Sequence, residues 1–107
     1  MPLPQSAAAD LLAQNSRAIL QATSLLKAMA NEKRLQIVCL LLERELSVTQ
    51  INQQLTLSQS ALSQHLAILR RDNLVTTRRE SQTIYYSLTS EGAKAIVETL
   101  ATQFCRK

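Results

Sequence analysis

Ser58-Gln59-Ser60-Ala61-Leu62-Ser63-Gln64-His65-Leu66-Ala67-Ile68-Leu69-Arg70-Arg71-Asp72-Asn73, followed by Leu74-Val75-Thr76-Thr77-Arg78-Arg79, changes its hydrophobic period part-way. Up to Asp72 the apolar residues recur at helical spacing; from Leu74 the pattern is that of a strand, rich in β-branched residues. Ser58 can cap a helix through its hydroxyl, and Asn73 tolerates the left-handed backbone that ends one. Upstream, Ser47-Val48-Thr49-Gln50 reads as a capping box for a short helix to about Leu55. Only Thr56-Leu57 separates that helix from the next, so the two make a helix-turn-helix.

Downstream, Gln82-Thr83-Ile84-Tyr85-Tyr86-Ser87-Leu88 is a second strand, giving a hairpin with Glu80-Ser81 near its tip. Thr89 or Ser90 then caps a final helix, in which Ala93, Ile96, Val97, Leu100, Ala101 and Phe104 keep helical spacing to the chain end. Towards the N-terminus, Leu11, Leu12, Ile19, Ala22, Leu25, Leu26 and Met29 make one amphipathic helix from about Ser6 to Met29. Asn31 caps the next, through about Arg44, with Leu35, Val38, Cys39 and Leu42 on one stripe and Ile37, Leu40 and Leu41 elsewhere around it. Burial nearly all round makes this the central helix. The expected fold is mainly α with a small β-hairpin, in the order helix, helix, helix, helix, strand, strand, helix, forming a single domain over residues 1–107.

Composition narrows the functions available to such a domain. One glycine and two prolines in 107 residues are too few for a strand-rich sandwich with many tight turns. Three aromatics (Tyr85, Tyr86, Phe104) are too few for the stacking platforms that hold single strands or RNA. A net charge of +4 is compatible with duplex DNA, whose phosphates dominate affinity. The opening Met1-Pro2-Leu3-Pro4-Gln5 lacks the basic segment and apolar core of a secretory signal, and no apolar run is long enough to span a membrane. A cytoplasmic location is therefore expected, where two cysteines are ordinarily free thiols.

On a helical wheel Leu62, Leu66 and Leu69 form the buried stripe of the Ser58 helix. Its polar arc carries Gln59, Ser60, Ser63, Gln64, Ala67, Arg70 and Arg71. Such an arc alone would be read as solvated surface. Its composition also suits a major groove: Gln pairs bidentately with adenine, Ser donates or accepts, small residues permit close approach, and arginines bind phosphate or guanine. The neighbourhood favours the groove, because Arg70, Arg71, Arg78 and Arg79 fall within ten residues that hold one aspartate, Asp72, and no glutamate. His65 falls beside the leucine stripe, so groove contact and helix packing are both open to it.

The stretch Ser58 to Arg71, with Leu74-Val75, Tyr85-Tyr86-Ser87-Leu88 and Leu26-Lys27-Ala28-Met29-Ala30-Asn31-Glu32-Lys33-Arg34-Leu35, resembles the signature of the ArsR/SmtB family of winged-helix transcriptional regulators. The likeness spans roughly residues 20 to 105. Within that family the chain is similar to a branch of activators of haemolysin and other virulence genes and of sulfide- and redox-responsive regulators. The resemblance implies a winged helix-turn-helix that forms a homodimer through its first and last helices and binds double-stranded operator DNA. It puts the Ser58 helix in the major groove and the hairpin on flanking DNA, with Gln59, Ser60, Ser63, Gln64 and His65 as groove-facing positions.

Metal-sensing members of the family carry a Cys-x-Cys motif where this chain has Leu46-Ser47-Val48-Thr49, or histidine and acidic ligands along the last helix, where Glu91 to Cys105 contains no His. No metal and no cofactor is expected. Cys39 and Cys105 match the pair that the redox-responsive branch places on its second and last helices. Read from the residues, Cys39 on an apolar stripe is a small core hydrophobe. Cys105 precedes Arg106 and Lys107, which favour its thiolate, while the helix dipole and terminal carboxylate oppose it. Cys105 is expected to be the more exposed and reactive thiol, with Cys39 resolving it. The leading reading is a DNA-binding regulator switched by oxidation or persulfidation of this dithiol. The alternative is a winged-helix protein-interaction module with structural, non-sensing cysteines. An enzyme is not expected, since thiol catalysis needs Cys and His held together by a third polar group.

Overall fold

The computed structural model describes residues 6–13 and 15–105. Its elements run α1 (Ala7–Ala13), α2 (Asn15–Met29), α3 (Glu32–Leu41), β1 (Leu46–Ser47), α4 (Val48–Leu55), α5 (Gln59–Arg71), β2 (Val75–Glu80), β3 (Thr83–Leu88) and α6 (Glu91–Phe104). The Met1–Gln5 segment and the Arg106-Lys107 pair lie outside the described residues.

Side chains at the helix starts make these boundaries sharp. Asn31 Oδ1 accepts the amides of Lys33 and Arg34, Ser58 Oγ that of Ala61, and Ser90 Oγ that of Ala93. Ser47 makes the full capping box, its hydroxyl accepting from Gln50 N while Gln50 Oε1 accepts from Ser47 N. The end of α5 is a Schellman motif: Asn73, at φ 63°, donates to Arg70 O, and Leu74 donates to Leu69 O. That closure buries Leu74, whose carbonyl accepts the amides of Thr89 and Ser90 and so ties the start of α6 to the base of the hairpin.

Strands β2 and β3 pair antiparallel from Val75 opposite Leu88 to Glu80 opposite Thr83, and β1 adds to the other edge of β3, for the order β1-β3-β2. The core joins α3, α4, α5 and the sheet: Ile37, Val38, Ile51, Leu62, Leu69 and Leu74 are fully buried, and Ala93 and Val97 of α6 and Met29 of α2 complete it. Burial of these six side chains, at about 1.5–3 kcal/mol each, is the main force holding the helices and the sheet together.

The structure corrects the sequence reading in four places. Where one helix is expected over Ser6–Met29, the described residues form two, α1 and α2, and residue 14 between them lies outside the described residues. The central helix stops at Leu41 rather than Arg44, with Leu42 N donating to Cys39 O in a tightened last turn. The freed residues turn the chain so that Leu46 is buried opposite Tyr86 in β1, a strand too short to carry a period. Cys39 is exposed, on the solvent side of its stripe, and Ala101 and Phe104 at the end of α6 are exposed too.

Candidate nucleic-acid interface

Helix α5 buries Leu62, Leu66 and Leu69 and leaves Gln59, Ser60, Ser63, Gln64, Ala67, Arg70 and Arg71 exposed. Between α5 and the hairpin runs an open groove. Gln59, Ser63, Ala67, Arg70 and Arg71 form one wall, Gln82, Thr83, Ile84 and Tyr86 the other, and Thr49 lies at the α4 end. Small residues at Ser63 and Ala67 leave room for close approach, and amides and hydroxyls offer both donors and acceptors to base edges. Ser60 and Gln64 are exposed but do not line the groove; Ser60 Oγ lies 3.5 Å from Ser58 Oγ.

The four arginines divide. Arg70 and Arg79 are exposed, with no ion pair among the described residues. Arg71 reaches Asp72 at 3.1 Å, an exposed pair that water readily competes with. Strand alternation puts Arg79, opposite Ile84, on the hairpin face that looks toward α5, and Arg78, opposite Tyr85, on the outer face. There Arg78 is engaged three ways. Its Nε and Nη2 donate to the Glu45 carboxylate at 2.7–2.9 Å, its Nη1 donates to Glu80 at 2.7 Å, and its guanidinium lies 4.6 Å from the Tyr85 ring centroid. Ser87 Oγ also donates to Glu45. The bonds from Arg78 hold the Glu45 carboxyl below the usual carboxylate range, and the two carboxylates lift the guanidinium further above its already high value.

His65 sits at the packing edge. Its Nδ1 is 3.4 Å from Arg34 Nη1, and Arg34 Nε donates to Ala28 O at 2.6 Å at the end of α2. Partial burial, reinforced by the Arg34 charge, pushes the imidazole below its ordinary value. The neutral ring is the form that can accept from Arg34.

Cys39 and Cys105 are both free and exposed, on α3 and just after α6, so the expectation of a core-buried Cys39 is not met. Partial burial raises the Cys39 thiol, and the charge of Cys105 raises it further, since like charges disfavour a second thiolate. The fold thus brings within electrostatic range two residues 66 positions apart in sequence. No three of His, Cys, Asp and Glu gather into a metal-binding group among the described residues.

Sequence reasoning missed Glu45, whose partner lies 33 residues away, and the groove contributions of Thr49, Gln82 and Thr83. It also missed Asn52, whose side chain bonds the backbone of the turn. Only the last had a local signal, an Asn four residues before a turn position that has no glycine.

A helix-turn-helix with an antiparallel hairpin beside its second helix defines a winged helix-turn-helix. The sequence profile described as bacterial regulatory protein, arsR family, matches residues 31–77. The transcriptional activator HlyU of Vibrio cholerae is 59% identical over 86 residues, which cover 80% of this chain and 80% of that protein. The solved structure of HlyU from Vibrio cholerae superposes with a TM-score of 0.80 at 57% identity, over 84% of this chain and 98% of that one. The transcriptional repressor BigR from Xylella fastidiosa matches with a TM-score of 0.81 at 36% identity, over 90% and 98% of the two chains. A homodimeric winged helix-turn-helix DNA-binding domain from Mycobacterium bovis matches with a TM-score of 0.70 at 28% identity, over 96% and 89%. The chain belongs to the arsR family of bacterial regulatory proteins, as the sequence signature led one to expect, and its fold is the winged helix-turn-helix of that family. No helix among the described residues is long and apolar enough to cross a membrane.

Proposed function

We propose that residues 1–107 act as one winged-helix domain that dimerises through helices at both ends, binds operator DNA sequence-specifically and loses affinity when Cys39 and Cys105 are oxidised or persulfidated. The observation that carries the DNA reading is the groove between α5 and the hairpin, lined by Gln59, Ser63, Arg70 and Arg71. Gln59, Ser60, Ser63 and Gln64 read base edges, while Arg70, Arg71 and Arg79 hold phosphates. Likeness to a transcriptional activator, HlyU, supports control of transcription, and the family branch that the sequence resembles makes haemolysin and other virulence genes the proposed targets.

The dimer is supported by what one protomer leaves uncovered. Leu12 is 74% exposed, Leu20 63%, Leu26 54% and Phe104 78%, all on α1, α2 and α6. The Cα radius of gyration is 16.2 Å, against about 13 Å for a compact chain of this length. The solved Mycobacterium bovis relative, described as homodimeric, points the same way.

The switch reading is supported by two free thiols, one on α3 and one just after α6, whose charges influence each other. The Cys105 thiolate attacks a peroxide, taking one oxygen to become sulfenic acid and releasing hydroxide. The Cys39 thiol then displaces that oxygen as water, and the sulfur–sulfur bond forms. A sulfane-sulfur donor acts at the same thiols by transferring one sulfur atom. A disulfide would tie α6 to α3, which supports α5, and so change the spacing of the two reading helices in the dimer. Half-sites are set about 34–36 Å apart, so a small rotation of each protomer weakens binding. Operator affinity of reduced protein should exceed that of oxidised protein, and C39S and C105S should each abolish the difference. Unchanged affinity with both thiols shown by mass spectrometry to be modified would refute the switch.

A further inference from the structure

The three-residue turn between α4 and α5, Thr56 to Ser58, carries a conformational cost with a visible compensation. Thr56 has φ 52° and ψ 49°, the left-handed region that disfavours any residue with a Cβ. Its own hydroxyl donates to Leu55 O at 2.7 Å, and its amide donates to Asn52 O at 2.8 Å. The Asn52 side chain then spans the turn: Nδ2 donates to Leu57 O and Oδ1 accepts from Leu57 N, both at 2.8 Å. This amide pairs with the Leu57 backbone as a strand neighbour would, satisfying both polar groups of a half-buried residue. Leu57 is followed directly by Ser58, the cap of α5, and by Gln59 and Ser60 in its first turn.

From this geometry we infer that Asn52 is a positioning residue for sequence readout: it touches no base itself but fixes the angle at which the first turn of α5 leaves α4. The inference rests on the DNA-binding reading above. Two planar hydrogen bonds in opposite directions constrain Leu57 in rotation as well as distance, which a single cap cannot do. The residues set by this constraint are those expected to meet bases, whereas Arg70 and Arg79 lie at the far end of α5 and in the hairpin. Loss of the staple therefore removes base discrimination and leaves phosphate attraction.

The test compares affinity for a selected operator duplex with affinity for a scrambled duplex, using full-length protein at a temperature where circular dichroism shows each variant fully folded. Asn52→Ala should lower operator affinity about tenfold, the scale of one lost base contact, with scrambled-duplex affinity and salt slope unchanged. Asn52→Asp should behave similarly, because a carboxylate still accepts from Leu57 N but faces Leu57 O without a donor. Adding Thr56→Gly to Asn52→Ala should recover most of the lost ratio, since glycine holds the left-handed turn without the staple. An operator-to-scrambled ratio in folded Asn52→Ala equal to that of the wild type would overturn the positioning role while leaving the DNA reading intact. A wild-type protein with no operator preference would overturn both.

Discussion

Arg79 and Arg78 are neighbours in sequence but should differ sharply in their contribution to DNA binding. Arg79 is exposed, without an ion pair among the described residues, on the hairpin face that looks toward α5. Arg78 points the other way, with Glu45 and Glu80 within 2.7–2.9 Å of its guanidinium. A phosphate contact contributes a slope of about 0.9 to the dependence of log affinity on log salt. In the proposed homodimer Arg79 would meet two phosphates, so Arg79→Ala should flatten the slope by about 1.8. Over a fourfold rise in salt, from about 50 to 200 mM, the variant should then lose about twelvefold less affinity than the wild type. The paired substitution Arg78→Gln with Glu45→Gln removes one cation and one anion together and should move the slope by less than about 0.5. Fluorescence anisotropy on a labelled random-sequence duplex at four or five salt concentrations measures both. Equal slope changes for the two variants would refute the division of labour; an unchanged slope in Arg79→Ala would take the hairpin off the phosphates.

Three further outcomes follow from the packing and titration of the protomer. Leu69→Ala, at a position with no exposure, should cost about 2–5 kcal/mol in urea unfolding, because neighbours on rigid helices refill the cavity only in part; a loss below about 1 kcal/mol would mean the site collapses freely. The folded state holds the His65 imidazole below its ordinary value, so the unfolded chain binds more protons once pH falls through about 6.5. Its contribution to stability should be complete above that pH and decline below it, levelling off beneath the lowered folded-state value. The urea midpoint of the wild type should therefore fall more between pH 7.5 and 5 than that of His65→Gln; parallel declines would show that the His65 imidazole carries none of the effect. Because burial and Cys105 both raise the Cys39 thiol, iodoacetamide at pH 7 should label Cys39 more slowly than a free cysteine peptide, and C105S should speed that labelling; mass spectrometry of timed samples reads both rates.

The parts of the fold that local chemistry specifies were legible in the residues. Ser47 with Gln50, Ser58, Asn31 and Asn73 each act on amides or carbonyls within four or five positions, and each does in the structure what its type and place imply. The leucine stripe of α5 was equally plain, since three residues at helical spacing need only a core to face. What escaped depends on distant partners. Glu45 reads as one more surface acid until the sheet sets it beside Arg78 and Ser87, and only then does it become clear that Arg78 is engaged. Cys39 shares a wheel sector with Val38 and Leu42, but the core covers one flank of that sector and leaves the other to solvent. β1 has two residues and no pattern of its own; its existence is decided by the free edge of β3. Leu12, Leu20, Leu26 and Phe104 keep the apolar spacing of buried helices while remaining exposed, because spacing does not say what covers an apolar face.

Whether α5 reads sequence is the claim on which the rest depends, and selection from a random duplex library by the reduced protein tests it most directly. Two-fold symmetric half-sites about one helical turn apart should be enriched, with preference at those positions weakened by Gln59→Ala and Gln64→Ala. Enrichment of no motif, or of a motif indifferent to both substitutions, would contradict it.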